Sequence, residues 1–281
     1  LKVLVTGATG FIGHYVIHEL LRRNIQVIAT ATSISKAQQM DWFSQVIFVE
    51  HTIGHHESNL IKKFHNPDVL IHLAWQGLPN YKQLFHFEEV LPLQYAFLKQ
   101  LITEGLQDIT VTGTCFEYGK QEGALSESMI ALPGNPYSLS KYTLYCFLQE
   151  LQKHIPFQLK WVRLFYMYGK GQSQSSILSQ LDKALEQGDT IFNMSMGDQL
   201  RDYLPVEKMA HNIVEIALQN KVSGIVNSCS GQPISIKTLV ENHLKQRNAH
   251  IELNLGYYPY PDYEPKDFWG DAEKLHQIIT A

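Results

Sequence analysis

The chain has 281 residues, 44% hydrophobic and 18% charged, with a formal net charge of −4. That length fits one large domain or two smaller ones, and the composition supports a packed core rather than a disordered tail. The acidic balance argues against nucleic-acid binding and no apolar run approaches the roughly 18 residues of a membrane span, while three widely spaced cysteines (Cys115, Cys146, Cys229) suggest no disulfide framework and a reducing, cytoplasmic setting.

Strand-like and helix-like stretches alternate along the chain. Val3 to Thr6 reads as a strand, and because the pattern begins this early a signal peptide is not expected. Phe11 to Arg23 has helical periodicity, with Ile12, Val16, Ile17, Leu20 and Leu21 on one side. Gln26 to Thr30, Val46 to Val49 and Val69 to Ala74 read as strands. Glu88 to Glu104 follows as a helix, Ile109 to Thr112 as a strand, Tyr137 to Lys153 as a long helix and Leu159 to Leu164 as a strand. Near-continuous apolar strands alternating with helices predict an α/β fold, a doubly wound parallel sheet of Rossmann type covered on both faces. Beyond Tyr168 the rhythm loosens. Gly169 to Ser176 reads as a loop, Ile177 to Gln187 and Val206 to Gln219 as helices, Gly224 to Ser228 as a strand, and Gly256 to Asp267 as irregular. The expected organisation is a dinucleotide-binding core over 1–165, rejoined at about 200–228. A smaller C-terminal substrate-binding lobe would comprise 166–199 and 229–281.

The segment Thr6-Gly7-Ala8-Thr9-Gly10-Phe11-Ile12-Gly13 sits between the first strand and the first helix. Glycine there allows a tight turn, close backbone approach to a pyrophosphate, and tight helix–strand packing. The helix N-terminus then presents free N–H groups and a positive dipole to phosphate. With Thr112-Gly113-Thr114-Cys115-Phe116-Glu117-Tyr118-Gly119, Tyr137-Ser138-Leu139-Ser140-Lys141 and Gln199-Leu200-Arg201-Asp202-Tyr203-Leu204-Pro205-Val206, this segment resembles the fingerprints of the extended short-chain dehydrogenase/reductase family. The resemblance covers nearly the whole chain. It implies that Gly7, Thr9, Gly10, Phe11, Ile12, Gly13, Thr32, Ser33, Leu73, Ala74, Trp75, Thr112, Tyr137, Lys141 and Leu164 contact a nicotinamide dinucleotide.

Three Tyr-x-x-x-Lys spacings occur, at Tyr95/Lys99, Tyr137/Lys141 and Tyr166/Lys170. The second opens a helix 23 residues after Thr114, and i, i+4 residues share a helix face. A neighbouring ammonium favours phenolate, drawing the phenol down from its ordinary ~10 towards neutrality. The resemblance assigns Tyr137 as general acid/base, Thr114 as a hydrogen-bonding partner of the substrate oxygen and Lys141 as a ribose ligand.

Within the family, the 4,6-dehydratases carry Asp and Glu directly after the catalytic Thr, where this chain has Cys115 and Phe116. Cys115 is read as a buried residue on the opposite strand face from Thr114. The remaining segments are most similar to nucleotide-sugar 4-ketoreductases of the dTDP-6-deoxy-L-talose 4-dehydrogenase type. That implies NAD(P)H-dependent reduction of a 4-keto-6-deoxyhexose carried on a nucleotide such as dTDP. A 4-epimerase with tightly bound NAD is one alternative, and a non-catalytic dinucleotide sensor another.

The second strand ends in Thr30-Ala31-Thr32-Ser33 with no acid to hold ribose hydroxyls, so the balance favours NADP over NAD, with Lys36 as a further donor. Arg201 is the expected diphosphate clamp, because a guanidinium binds phosphate oxygens bidentately. Trp75, Tyr81 and Tyr166 would line the sugar pocket, Tyr166 standing where the family usually has Asn. Tyr257 to Trp269 could cover the nucleotide. His14/His18 and His51/His55/His56 are close in sequence, but no carboxylate completes a recognisable zinc pattern, so no metal is expected. The 88–104 and 137–153 helices carry the apolar residues Leu91, Leu98, Leu144, Phe147 and Leu151, and the resemblance implies a homodimer through these two helices, with core packing within one chain as the alternative.

Overall fold

The computed structural model describes residues 1–55, 57–260 and 264–280. It opens with β1 (Lys2–Thr6), α1 (Phe11–Arg22), β2 (Gln26–Ala31), α2 (Ile34–Ala37), β3 (Ile47–Glu50), α3 (Leu60–Lys63) and β4 (Val69–His72). A π-helical stretch over His86–Val90 runs into α4 (Leu91–Thr103). Next come β5 (Asp108–Thr114), a 3-10 turn over Cys115–Tyr118, β6 (Gly123–Leu125), α5 (Pro136–Gln152), β7 (Gln158–Leu164) and β8 (Tyr166–Tyr168). The rest of the chain supplies α6 (Ile177–Gln187), β9 (Ile191–Asn193), β10 (Leu200–Pro205), α7 (Val206–Leu218), β11 (Gly224–Ser228) and β12 (Pro233–Ser235). It ends with α8 (Ile236–Gln246), β13 (Glu252–Asn254), β14 (Phe268–Gly270) and α9 (Glu273–Ile279).

Seven strands form one sheet in the order β11-β7-β5-β4-β1-β2-β3, and every pairing in it is parallel. The alternation of side chains along β1 sorts the core into two layers. Val3 and Val5 face a cluster with Val16, Ile17 and Leu20 of α1 and Met209, Ile213 and Val214 of α7. Leu4 faces the other layer, with Leu98 and Leu101 of α4 and Leu144 and Leu148 of α5. Strand order reverses between β1 and β4, which leaves a crevice at their C-terminal ends.

A separate cluster joins Leu178 and Leu181 of α6, Phe192 of β9 and Leu239 and Val240 of α8. Beside it lies a small sheet of β12, β10 and β8, and β13 pairs with β9. One boundary differs from the sequence reading. The last helix, α9, was expected in the C-terminal lobe, yet Leu275 and Ile278 are buried in the main core with α7. Their apolar side chains complete the layer that α1 and α7 leave open beside β11.

The apolar residues that suggested a dimer are also mostly accounted for within the chain. Leu91, Leu98, Leu144 and Leu151 are buried core residues because α4 and α5 pack on each other and on the sheet. Phe147 stays exposed, and Leu93 and Leu139 join it on the outer surface of these helices.

Candidate active site

The glycine loop has the shape that close approach demands. Gly7 has a φ of +68°, and a Cβ there would lie 3.0 Å from the Ala74 backbone nitrogen. A Cβ on Gly13 would lie 2.3 Å from the Gly7 carbonyl oxygen, so helix and turn touch only because that residue is glycine. Thr6 Oγ1 accepts from the backbone N–H groups of Leu73 and Ala74 at 3.2 and 3.3 Å, which ties the ends of β1 and β4 together. Below them His72 bonds Thr6 Oγ1 at 2.9 Å and Gln94 Oε1 at 2.8 Å, and full burial holds it neutral, with a pKa lowered to about 3.

A cavity of about 250 Å³ opens over this loop, lined by Gly7, Thr9, Gly10, Thr32, Leu73, Ala74 and Trp75 among others. Two of its lining residues, Thr30 and His51, carry buried polar atoms (Oγ1 and Nε2) with no protein partner. Gly10, the residue before α1, supplies no side-chain cap, so the helix start keeps N–H groups for an anion. Loop, helix end and orphaned donors fit a dinucleotide. Phe11, Ile12 and Gly13 form the first turn of α1, with Phe11 packed edge-on against Tyr15. Leu164 sits at the end of β7, in register with Thr114.

The tip of β2 departs from expectation. Ser33 was expected to meet the cofactor, but its Oγ accepts the Lys36 N–H at 3.2 Å and caps α2. Nor is the place without an acid. The β2–β3 register sets Glu50 opposite Ala31, and its carboxylate accepts the Ile34 N–H at 2.7 Å. Thr32 and Lys36 do line the cavity.

Thr114, Tyr137 and Lys141 converge at the crevice. Asn135 caps α5 by accepting the Ser138 N–H at 2.9 Å, and Pro136 supplies the fixed φ of the first turn, so α5 starts at Tyr137's threshold. All three residues are buried. Thr114 ends β5 and is held from behind. The Glu117 carboxylate accepts its backbone N–H at 2.9 Å, Trp161 Nε1–H at 3.1 Å and Arg163 Nε–H at 2.8 Å. Lys141 Nζ donates to the Thr112 carbonyl at 2.8 Å and lies 4.1 Å from the centre of the Trp75 ring.

The electrostatics revise the sequence reading. Burial pushes the Tyr137 phenol well above its ordinary range, with Tyr81, Glu117 and Cys115 adding to the rise and the Thr114 hydroxyl opposing it through a hydrogen bond. Lys141, one turn along the same helix, is buried as well. Burial lowers the ammonium itself to about 7, with Glu117 as the opposing influence. Desolvation thus moves both groups towards their neutral forms. Cys115 is buried and its thiol is pushed up by burial, as suits an inert side chain.

A second cavity, about 810 Å³, opens on the C-terminal side and is lined by Tyr81, Tyr166, Arg201, Tyr203, Tyr258 and Glu264 among others. Tyr137 joins the two. Its ring meets Trp75 of the smaller cavity at 5.9 Å and Tyr81 of the larger at 5.5 Å between centroids. His86 braces this junction from below. Its Nδ1 accepts the Trp75 indole N–H at 3.1 Å, which leaves Nε2 as the donor to the Asn80 carbonyl at 3.1 Å.

Arg201 reaches the large cavity but is not a free clamp. Its guanidinium donates to Glu264 Oε2 at 2.7 Å and to the carbonyls of Leu200, Pro265 and Lys266, and stacks 4.5 Å from the centre of Phe268. Tyr166 donates to the other oxygen of Glu264 at 2.5 Å. Glu264, His86 and Glu117 were not singled out in the sequence. Only Glu264 carried a signal, as one of three carboxylates in the Tyr/Pro-rich run from Tyr257 to Trp269. Residues 261–263 of that run lie outside the described residues. The expected lack of a carboxylate near His14 and His18 is also corrected, since the turn after α2 brings Asp41 to them.

A model of the NAD dependent epimerase/dehydratase family matches residues 3–228. The chain is 28% identical over 271 residues to the dTDP-6-deoxy-L-talose 4-dehydrogenase (NAD(+)) of Aggregatibacter actinomycetemcomitans, covering 96% of this chain and 99% of that protein. It is 25% identical to the dTDP-4-dehydro-6-deoxyglucose reductase of Escherichia coli, over 85% of this chain and 79% of the relative. In fold it superposes on a UDP-glucuronic acid 4-epimerase from Bacillus cereus, solved with UDP-glucuronic acid and NAD, with a TM-score of 0.85, 23% identity and coverage of 100% and 93%. Among the described residues, no helix is long and apolar enough to cross a membrane.

Proposed function

The chain belongs to the NAD dependent epimerase/dehydratase family and is an NAD(P)-dependent oxidoreductase, and from that premise we propose that it reduces the 4-keto group of a dTDP-linked 4-keto-6-deoxyhexose. The observation that carries this reading is the place of Tyr137. Its ring lies between Trp75, which lines the smaller cavity, and Tyr81, which lines the larger one, and Thr114 is hydrogen-bonded to it. A bound reduced nicotinamide supplies the hydride. Thr114, braced by Glu117, holds the ketone oxygen with its hydroxyl. Tyr137 then gives that oxygen its proton, the direction favoured by a phenol that burial keeps protonated. Lys141, anchored on the Thr112 carbonyl, stands one helical turn behind to hold the ribose.

The substrate class follows the relatives, two of which are named for dTDP-linked 6-deoxyhexose oxidoreduction. For the cofactor, Glu50 supports NAD(H), because its carboxylate repels a 2′-phosphate at the place where the second strand itself offers no acid. Trp75, Tyr81 and Tyr166 would flank the sugar. Arg201 would reach a diphosphate only by exchanging Glu264 for it. A homodimer through the outer surfaces of α4 and α5 remains part of this proposal, carried by Leu93, Leu139 and Phe147.

The test is product analysis with dTDP-4-keto-6-deoxyhexose. A reductase consumes added NADH and releases the 4-hydroxy sugar. A 4-epimerase would interconvert the 4-hydroxy sugars with no added cofactor, and that result would overturn the reading.

A further inference from the structure

We propose that His14, His18 and Asp41 form a binding site for one divalent transition ion of the zinc type, on the outer surface of α1 and apart from both cavities. His14 and His18 are four residues apart on α1, so their rings meet edge-on on one helix face, 4.6 Å between centroids. Asp41 arrives from another element. His18 Nε2 lies 2.9 Å from Asp41 Oδ1 and His14 Nδ1 lies 4.0 Å from the same oxygen. One ligand atom from each residue falls within 4.8 Å of the other two, the one such grouping among the described residues.

The backbone on both sides is already fixed. Trp42, next to Asp41, is fully buried in the cluster that contains Val16, Ile17 and Leu20 of α1. The Met40 N–H donates to the Ala37 carbonyl and the Phe43 N–H to that of Met40, so Asp41 sits in a closed turn. The three side chains, in contrast, are accessible, with exposures of 33%, 40% and 68% for His14, His18 and Asp41. Tetrahedral coordination with bonds of about 2.0–2.1 Å sets ligand atoms about 3.3 Å apart. The 2.9 Å pair must open and the 4.0 Å pair must close, each by less than an ångström, and the two imidazole nitrogens, which lie within 4.8 Å of each other, must come to the same separation.

The donor set is two imidazoles and a carboxylate, with no sulfur. That suits Zn²⁺, Co²⁺ or Ni²⁺, with water completing the shell, and does not suit Mg²⁺ or Ca²⁺, which take oxygen shells. Metal would take the place of the hydrogen that now joins His18 Nε2 to Asp41 Oδ1. The bound ion would fasten the helix that receives the dinucleotide phosphates to the turn that follows α2.

Metal-free protein without added histidines would be titrated with ZnCl₂ by calorimetry and with CoCl₂ by visible absorption. One Zn²⁺ per chain with micromolar or tighter affinity, and the intense visible bands of four-coordinate Co²⁺, are expected. His18→Ala should lose both, and Asp41→Asn, which keeps a hydrogen-bonding partner for His18, should weaken Zn²⁺ by at least about ten-fold. Zn²⁺ should raise the melting temperature of the parent protein and not of His18→Ala, with ketone reduction by the metal-free proteins unchanged. No saturable binding at one equivalent, or binding and thermal shift that persist in both variants, would overturn the site. Neither outcome depends on which sugar the enzyme reduces.

Discussion

The two walls of the crevice are built differently. The wall that carries Thr114, Tyr137 and Lys141 is built from β5 and α5, and its working atoms have only neutral partners: Thr114 Oγ1 accepts the Phe116 N–H, and Lys141 Nζ keeps donors beyond the one given to the Thr112 carbonyl. Glu117 holds the backbone of Thr114, Asn135 and Pro136 set the start of α5, and the Thr112 carbonyl anchors Lys141. The opposite wall carries Tyr166 and Arg201, and there the working atoms themselves are engaged, both by Glu264. One wall is preorganised for chemistry, while the other must exchange partners before it can hold an anion. Catalytic rate should therefore respond to changes in the first wall and substrate affinity to changes in the second.

The largest effect should come from Tyr137→Phe, which removes the proton donor. Turnover should fall by ~10²–10⁴-fold, while dinucleotide affinity measured by fluorescence titration stays the same. Full turnover would make the two walls indistinguishable and the mechanism wrong. Thr114→Val should lower kcat by ~10²–10³-fold with little change in KM, since the oxygen contact strengthens as charge develops there. If KM rose and kcat held, Thr114 would belong to the binding wall instead.

Glu264→Gln sharpens the contrast from the other side. It removes the competing charge, so KM for the nucleotide sugar should drop several-fold with kcat nearly constant. The melting temperature should drop as well, because a buried guanidinium loses its ionic partner. A rise in KM would mean that Glu264 contacts substrate rather than standing in its way. Glu50→Gln is a smaller change, expected to shift the NADPH-to-NADH ratio of kcat/KM by about ten-fold, or ~1.4 kcal/mol, towards NADPH.

Lys141 gives a pH test of the preorganised wall. Its pKa is lowered to about 7 in the fold, below its ordinary 10.5, so the unfolded chain binds the extra proton. Stability should rise as pH increases from about 7 towards that ordinary value, where the neutral amine is equally favoured in both states. Lys141→Met should consequently melt higher than the parent at pH 6, and the gap should close by pH 10. A constant gap would mean that burial does not penalise the charge.

How far these features were legible in the sequence follows from how locally each is determined. The turn from β1 into α1 and the start of α5 rest on neighbouring residues (Gly7 to Gly13, Asn135 to Tyr137), and sequence reading places both. The parallel sheet follows from continuous apolar strands. Three-residue strands such as β8, β9, β12, β13 and β14 have no period to detect. Contacts across long chain separations escaped as well. Arg201 and Glu264 are 63 residues apart, and Glu50 serves the tip of β2 only through the register of β3. The desolvation of Tyr137 and Lys141 is likewise hidden, because burial cannot be weighed from an i, i+4 spacing.

The central claim is that the preorganised wall reduces a ketone. The most direct measurement is loss of reduced-nicotinamide absorbance when the protein meets dTDP-4-keto-6-deoxyhexose, with NADH and NADPH in parallel and Tyr137→Phe alongside. The account predicts one equivalent of NADH oxidised per ketone, faster than NADPH, and nearly none with Tyr137→Phe. Unchanged absorbance with intact protein, or equal rates for the parent and Tyr137→Phe, would contradict it.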